Sequence, residues 1–204
     1  MSSSSPVLRR FELAAALLLF ATAPLAANAL DVAGSCRVQF FATTTLHDFE
    51  GEAPCALLAV EAPDAQGHYA ARAEVAIAEL QTGISARDKK MREVFEAKKY
   101  PRIVATFANL DPAALRAQRA DALPFRIAIR GAERAVTPVL SGFSEVPGKS
   151  AHFRASFELT LRDFGIEAPV AMGFIRVDEK VRVVVDVDLA ARNGAAAASG
   201  APAH

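Results

Sequence analysis

The stretch of this sequence best equipped for chemistry is His47-Asp48-Phe49-Glu50. Residues two apart on an extended strand share a face, so Asp48 and Glu50 would stand together with His47 opposite. Two carboxylates and an imidazole are the raw material of acid–base catalysis. That chemistry also needs a nucleophile or a metal held by further groups, and no G-x-S-x-G, H-E-x-x-H or C-x-x-C motif accompanies the cluster. The simpler reading is a hairpin turn that ends at Gly51. His68, His152 and His204 each lack a second ligand at metal spacing. Asp163-Phe164-Gly165 spells a kinase metal-binding triplet, but the chain has neither G-x-G-x-x-G nor H-R-D. The basic run Arg87-Asp88-Lys89-Lys90-Met91-Arg92 is broken by Asp88 and followed by Glu93, which is the pattern of a solvated helix face rather than a nucleic-acid stripe. These residues predict a protein that is not an enzyme, with no catalytic residue, no metal and no cofactor.

Cys36 and Cys55 are the only cysteines. They flank a predicted hairpin, so a cross-strand disulfide is open to them in an oxidising compartment. A lipid anchor on Cys36 fits less well, because Ala33-Gly34-Ser35 lacks a large apolar residue, and a redox or metal pair would be spaced C-x-x-C. The N-terminus indicates the compartment. Arg9 and Arg10 precede an 11-residue apolar run over residues 13–23, and Ala27-Asn28-Ala29 follows as a cleavage site. This is the three-part pattern of a secretory signal peptide, with a run too short to span a bilayer. The expected organisation is a signal peptide over 1–29, one domain over 30–191 and a disordered Ala/Gly/Ser/Pro-rich tail over 192–204, located in a bacterial periplasm. No later stretch reaches the ~18 apolar residues of a transmembrane helix.

Period-2 alternation dominates the chain. Val181, Val183, Val185, Val187 and Leu189 share one face of the last strand, opposite Lys180, Arg182, Asp186 and Asp188. Phe153, Ala155, Phe157, Leu159 and Leu161 alternate with polar residues in the strand before it. Phe125, Ile127 and Ile129, then Ala71, Ala73, Val75 and Ile77, then Ile103, Ala105 and Phe107 repeat the pattern. Residues 34–43, 51–62 and 134–146 read as further strands. About eight strands, each wet on one face, suit antiparallel pairing and an all-β barrel, with an open two-layer sandwich as the alternative. Two short helices interrupt them. One follows Ser85 as N-cap and ends at Tyr100-Pro101; the other runs from Asp111-Pro112 to about Ala120.

Composition limits the function classes. With 23 basic and 23 acidic side chains in 204 residues the chain is formally neutral, which argues against nucleic acid or a polybasic membrane surface as a partner. The 52% hydrophobic fraction includes 44 alanines, so the apolar volume is smaller than that figure suggests. An eight-stranded barrel can hold a small ligand if side chains leave its interior unfilled. The predicted lining is Phe40, Val75, Ile77, Ile103, Phe107, Phe125, Ile127, Phe157, Val183 and Val185. The alternative is a core filled by Phe rings and a structural or protein-interaction module of the cell envelope without a ligand. A homodimer is compatible with either.

Three stretches together resemble the YceI-like family, the polyisoprenoid-binding, lipocalin-like periplasmic proteins. They are residues 45–51 (TLHDFEG), residues 84–91 (ISARDKKM) running on to Phe95 and Lys99-Tyr100-Pro101, and residues 161–166 (LRDFGI) followed by the strand over 181–189. The resemblance spans roughly residues 31–191. It implies an eight-stranded antiparallel lipocalin-like barrel with a helix near one end, an apolar isoprenoid-type ligand such as a quinone or polyprenyl chain, and no catalysis. The segment over 111–120 and the cysteine pair are not typical of that family.

Overall fold

The computed structural model describes residues 32–119, 123–171 and 173–191. The predicted signal peptide and tail lie outside them. Eleven strands form one sheet. They are β1 (Val32–Thr44), β2 (Phe49–Pro54), β3 (Leu57–Val60), β4 (Tyr69–Ala76), β5 (Arg102–Leu110), β6 (Phe125–Ile129), β7 (Ala132–Val136), β8 (Val139–Val146), β9 (Ser150–Thr160), β10 (Val170–Ala171) and β11 (Ile175–Ala191). The helices are α1 (Ser85–Val94) and α2 (Pro112–Arg116). Neighbours pair in the order β7-β6-β5-β4-β3-β1-β11-β9-β8, with β2 on β1 and β10 on β11. Every ladder is antiparallel.

The all-β class is as expected, and the strand count is larger for local reasons. The expected strand over 51–62 divides at Cys55-Ala56, where β1 changes partner. Residues 37–42 of β1 pair with β2, whereas Ala33 pairs with Ala59 of β3. The expected strand over 134–146 divides at Thr137-Pro138, because proline has no N–H to donate to a ladder. β10 is the third addition.

That second break shapes the whole sheet. β7 and β8 stand at opposite ends of the paired path, yet only Thr137 and Pro138 separate them in the chain. Val136 and Val139 therefore lie within about 11 Å, the reach of three peptide units. The sheet therefore curls, and the covalent chain joins its two ends at one corner, with Pro138 buried there. The longest ladders of the sheet run along β11. β11 pairs with β1 from Val32↔Ala191 to Thr44↔Val177, and with β9 from Lys180↔Thr160 to Ala190↔Ser150.

Both helices differ in detail from expectation. Ser85 is the first residue of α1, Ile84 takes the cap position, and no side chain caps it. Instead the Asp88 carboxylate accepts from the Thr82 backbone N–H at 2.9 Å and from its hydroxyl at 2.6 Å, tying the helix to the preceding loop. The helix stops at Val94 rather than Tyr100, because Glu96 turns left-handed at φ 51°. The Arg130 guanidinium holds that turn, donating to Glu96 and, at 2.6 Å, to the Gly165 carbonyl. In α2, Asp111 caps as expected, accepting from the Ala113 N–H at 2.8 Å, but the helix ends at Arg116.

Two features hold the wall in addition to its apolar packing. Cys36 and Cys55 form a disulfide, and the Cys55 N–H also donates to the Cys36 carbonyl at 2.8 Å, so the bond pins the point where β1 changes partner. Glu74 on β4 is buried and accepts from Arg102 and, at 2.8 Å, from Arg72. The Arg102 and Arg72 guanidiniums hold its carboxyl below the ordinary value of 4.5. A carboxylate with a lowered folded pKa stabilises the fold at neutral pH and loses that contribution as pH falls through 4.5 and below. Glu74→Gln should therefore lower stability at pH 7 by about 1–3 kcal/mol and flatten the acid-side loss, as read in urea titrations at successive pH values. Replacing both cysteines with serine should remove about 3 kcal/mol in the same assay, the value for closing a loop of this length.

Candidate functional site

The inward faces of the strands enclose a cavity of about 810 Å³, within the range of roughly 300–1,000 Å³ typical of ligand sites. Its wall is every second residue of the main strands. β1 gives Cys36, Val38, Phe40 and Ala42, and β11 gives Val181, Val183, Val185, Val187 and Leu189. β9 gives Phe153, Ala155, Phe157 and Leu159, while β4, β5 and β6 supply the predicted faces around Val75, Ile103, Phe107, Phe125 and Ile127. Of the residues expected to line an interior, Ile77 alone does not reach this wall. Alternation breaks at the 3₁₀ turn over Ile77–Glu79, and the Ile77 side chain is wholly buried with Val75 and Leu80.

The interior is partly filled and largely hollow. Phe125 sits between Phe107 and Phe157, with ring centroids 4.9 and 5.1 Å away, and occupies one side. Phe164 and Ile166 pack on the same cluster, and Met91 of α1 and Phe95 just after it cover the cluster around Phe40 and Val183. Much of the wall nevertheless faces open space. Ile103, Phe107, Phe157, Val181 and Val185 point inward yet stay only half-buried, whereas a packed core would seal them. Ala71, Ala73, Ala105 and Ala155 line the cavity and leave that room. Gly51 sets the position of one wall residue. It lies opposite Phe40, and a Cβ there would fall 2.2 Å from the ring and 2.6 Å from the Gln81 carbonyl oxygen.

Polar groups on the wall collect at its two ends. At the α1 end are Thr44, His47, Arg87 and Lys90, with the Arg87 guanidinium 4.3 Å above the Phe49 ring. At the α2 end are Tyr69, Lys149 and the Arg116–Glu145 pair, joined by two hydrogen bonds of 2.6 and 2.9 Å. Arg116 holds the Glu145 carboxyl below its ordinary range. His47 borders the cavity, but Asp48 and Glu50 are exposed and off its wall. The trio is therefore not assembled around one space. Asp163-Phe164-Gly165 is a structural turn: Phe164 is buried and Gly165 closes the turn at φ 66°. Among the described residues no group of three or more His, Cys, Asp or Glu could hold a metal ion.

Sequence reasoning missed Arg87 and Lys90 as wall residues. Their signal was present: residues 87, 91 and 94 repeat at i+4 and i+3 on one helical face. Their charge placed them in solvent, whereas they stand where that face meets the cavity edge.

This geometry has relatives. The YceI-like domain model matches residues 31–189. The chain belongs to the YceI-like family. Among solved structures, this YceI-like chain is similar to a polyisoprenoid binding domain from Saccharophagus degradans implicated in plant cell wall breakdown. The TM-score is 0.60 at 14% identity, over 80% of this chain and 99% of that one. It is also similar to BcnA of Burkholderia cenocepacia, with a TM-score of 0.56 at 13% identity, over 75% and 95% of the two chains. These likenesses establish a shared lipocalin-like fold. No curated protein matches the sequence.

A hollow wall accepts added volume. Ala105→Leu and Ala155→Leu should each change stability by less than about 1 kcal/mol, where a filled core would lose about 1–3 kcal/mol to overpacking. Gly51→Ala should cost about 1–3 kcal/mol, because Phe40 and the Gln81 backbone have to move. Urea unfolding of the three variants separates these outcomes.

Proposed function

We propose that this YceI-like domain is a non-catalytic binding protein, a carrier or buffer for an amphiphile with an isoprenoid-type tail such as a quinone or polyprenyl chain. The observation that carries this reading is the 810 Å³ apolar cavity running between two polar ends. Each methylene moved from water into such a wall contributes about 0.8 kcal/mol, so a long tail needs few polar contacts. The 11-residue β9 spans about 35 Å, which gives the wall the length for an extended chain. The head of the amphiphile would sit among the polar residues at one end. Phe40, Val75, Ile103, Phe107, Phe125, Ile127, Phe157, Val183 and Val185 would contact the tail, with Ile77 supporting the wall from behind. The structural neighbour described as a polyisoprenoid binding domain supports this ligand class. The disulfide and the signal-like N-terminus support a periplasmic location.

Organic-solvent extraction of the purified protein followed by mass spectrometry should recover an apolar chain. The emptied protein should then bind an added ubiquinone. Ala155→Phe, which projects a ring into the open space, should weaken that binding about tenfold or more while leaving the fold intact by circular dichroism. Recovery of no apolar molecule, together with no uptake of quinone, overturns the reading.

A further inference from the structure

Large apolar side chains left in water cluster at one end of this barrel. Leu46, in the β1–β2 turn, is 64% exposed, and Phe174, just before β11, is 66% exposed. The two turns are tied together. The Thr45 N–H donates to the Arg176 carbonyl at 3.0 Å, the Arg176 N–H donates to the Thr45 hydroxyl at 3.2 Å, and that hydroxyl donates to the Phe174 carbonyl at 3.4 Å. Val170 of β10, which pairs with Arg176 of β11, and Ile84, immediately before α1, are also exposed at this end.

The cluster continues the cavity outward. Ile84 and Val170 belong to the cavity wall, while Leu46 and Phe174 adjoin the wall residues His47 and Ile175 without lining it, so they face away from the interior. Arg87 and Lys90 stand on the same lip. Single exposed apolar residues are ordinary, but an apolar rim that is continuous with an apolar cavity and set beside cations is the pattern of a surface that seats in the headgroup–acyl boundary of a membrane. Exposed Asp48 and Asp178 keep this end from being strongly basic, so apolar insertion supplies the attraction and the cations orient it.

We propose that this end of the barrel docks on a lipid bilayer, with Leu46 and Phe174 inserted and Arg87 and Lys90 facing lipid phosphates. A tail would then pass between bilayer and cavity along unbroken apolar surface. That use rests on the carrier reading; the docking itself rests on the rim alone.

Co-sedimentation of the full chain with vesicles of phosphatidylethanolamine and phosphatidylglycerol tests it. The parent protein should pellet with the vesicles. Leu46→Asp and Phe174→Asp should each weaken this by about tenfold, the equivalent of losing one buried large apolar side chain. Val139→Asp, at a comparably exposed position of 62% on β8, should leave it unchanged. Ubiquinone uptake from detergent solution should be the same in all four proteins, because none of the three sites lines the cavity. A parent protein that stays in the supernatant overturns the docking, as does equal pelleting by all four. Loss of self-association in Leu46→Asp without vesicle binding by the parent would also overturn it and assign the rim to a second copy of this chain. Failure of quinone uptake in the parent would sink the carrier reading and leave the docking result standing.

Discussion

A sheet can surround empty space only if something other than interior packing keeps it curved. Here the backbone ladder does so. β11 pairs along nearly its whole length with β1 on one side and β9 on the other, and the two-residue step from β7 to β8 forces the far ends together. The outer face adds cross-strand charge pairs such as Arg154–Asp186, Lys180–Glu158 and Arg37–Glu52. Each exposed pair is worth little. Their placement nevertheless fixes the register, because a slip of one residue would turn the charges inward and the valines outward.

With the wall held this way, side-chain size decides what the interior becomes. The three phenyl rings of Phe107, Phe125 and Phe157 pack together on the wall, and Ala71, Ala73, Ala105 and Ala155 leave room beside them. Polar residues withdraw to the two ends. An elongated apolar space with polar ends suits the proposed amphiphile in shape and chemistry. The disulfide lies in this wall, since both cysteines line the cavity. It therefore secures the same place twice, once as a strand junction and once as a boundary of the space.

Much of the site was legible because a strand has only two faces. Once Val181 to Leu189 and Phe153 to Leu161 showed period 2, the inward set followed, and the cavity wall contains it. Ile77 failed because the rule holds only while the strand lasts, and β4 ends one residue earlier. Arg87 and Lys90 escape a reading from charge alone, because a cavity edge accepts the long stem of a basic side chain with its head in water. The exposed rim was invisible in the sequence, since Leu46 and Phe174 lie 128 positions apart and come to the same end only because Thr45 bonds to Phe174 and Arg176.

The sequence by itself determined the class of structure, the pairing partners available to the two cysteines, and which residues of each strand face inward. It could do so because alternation and turn residues are local properties of a few neighbouring positions. Only the tertiary structure decided that the interior is hollow. Whether inward rings meet and fill a space depends on the curvature of the whole sheet, and that curvature comes from strand pairings between residues far apart in the chain.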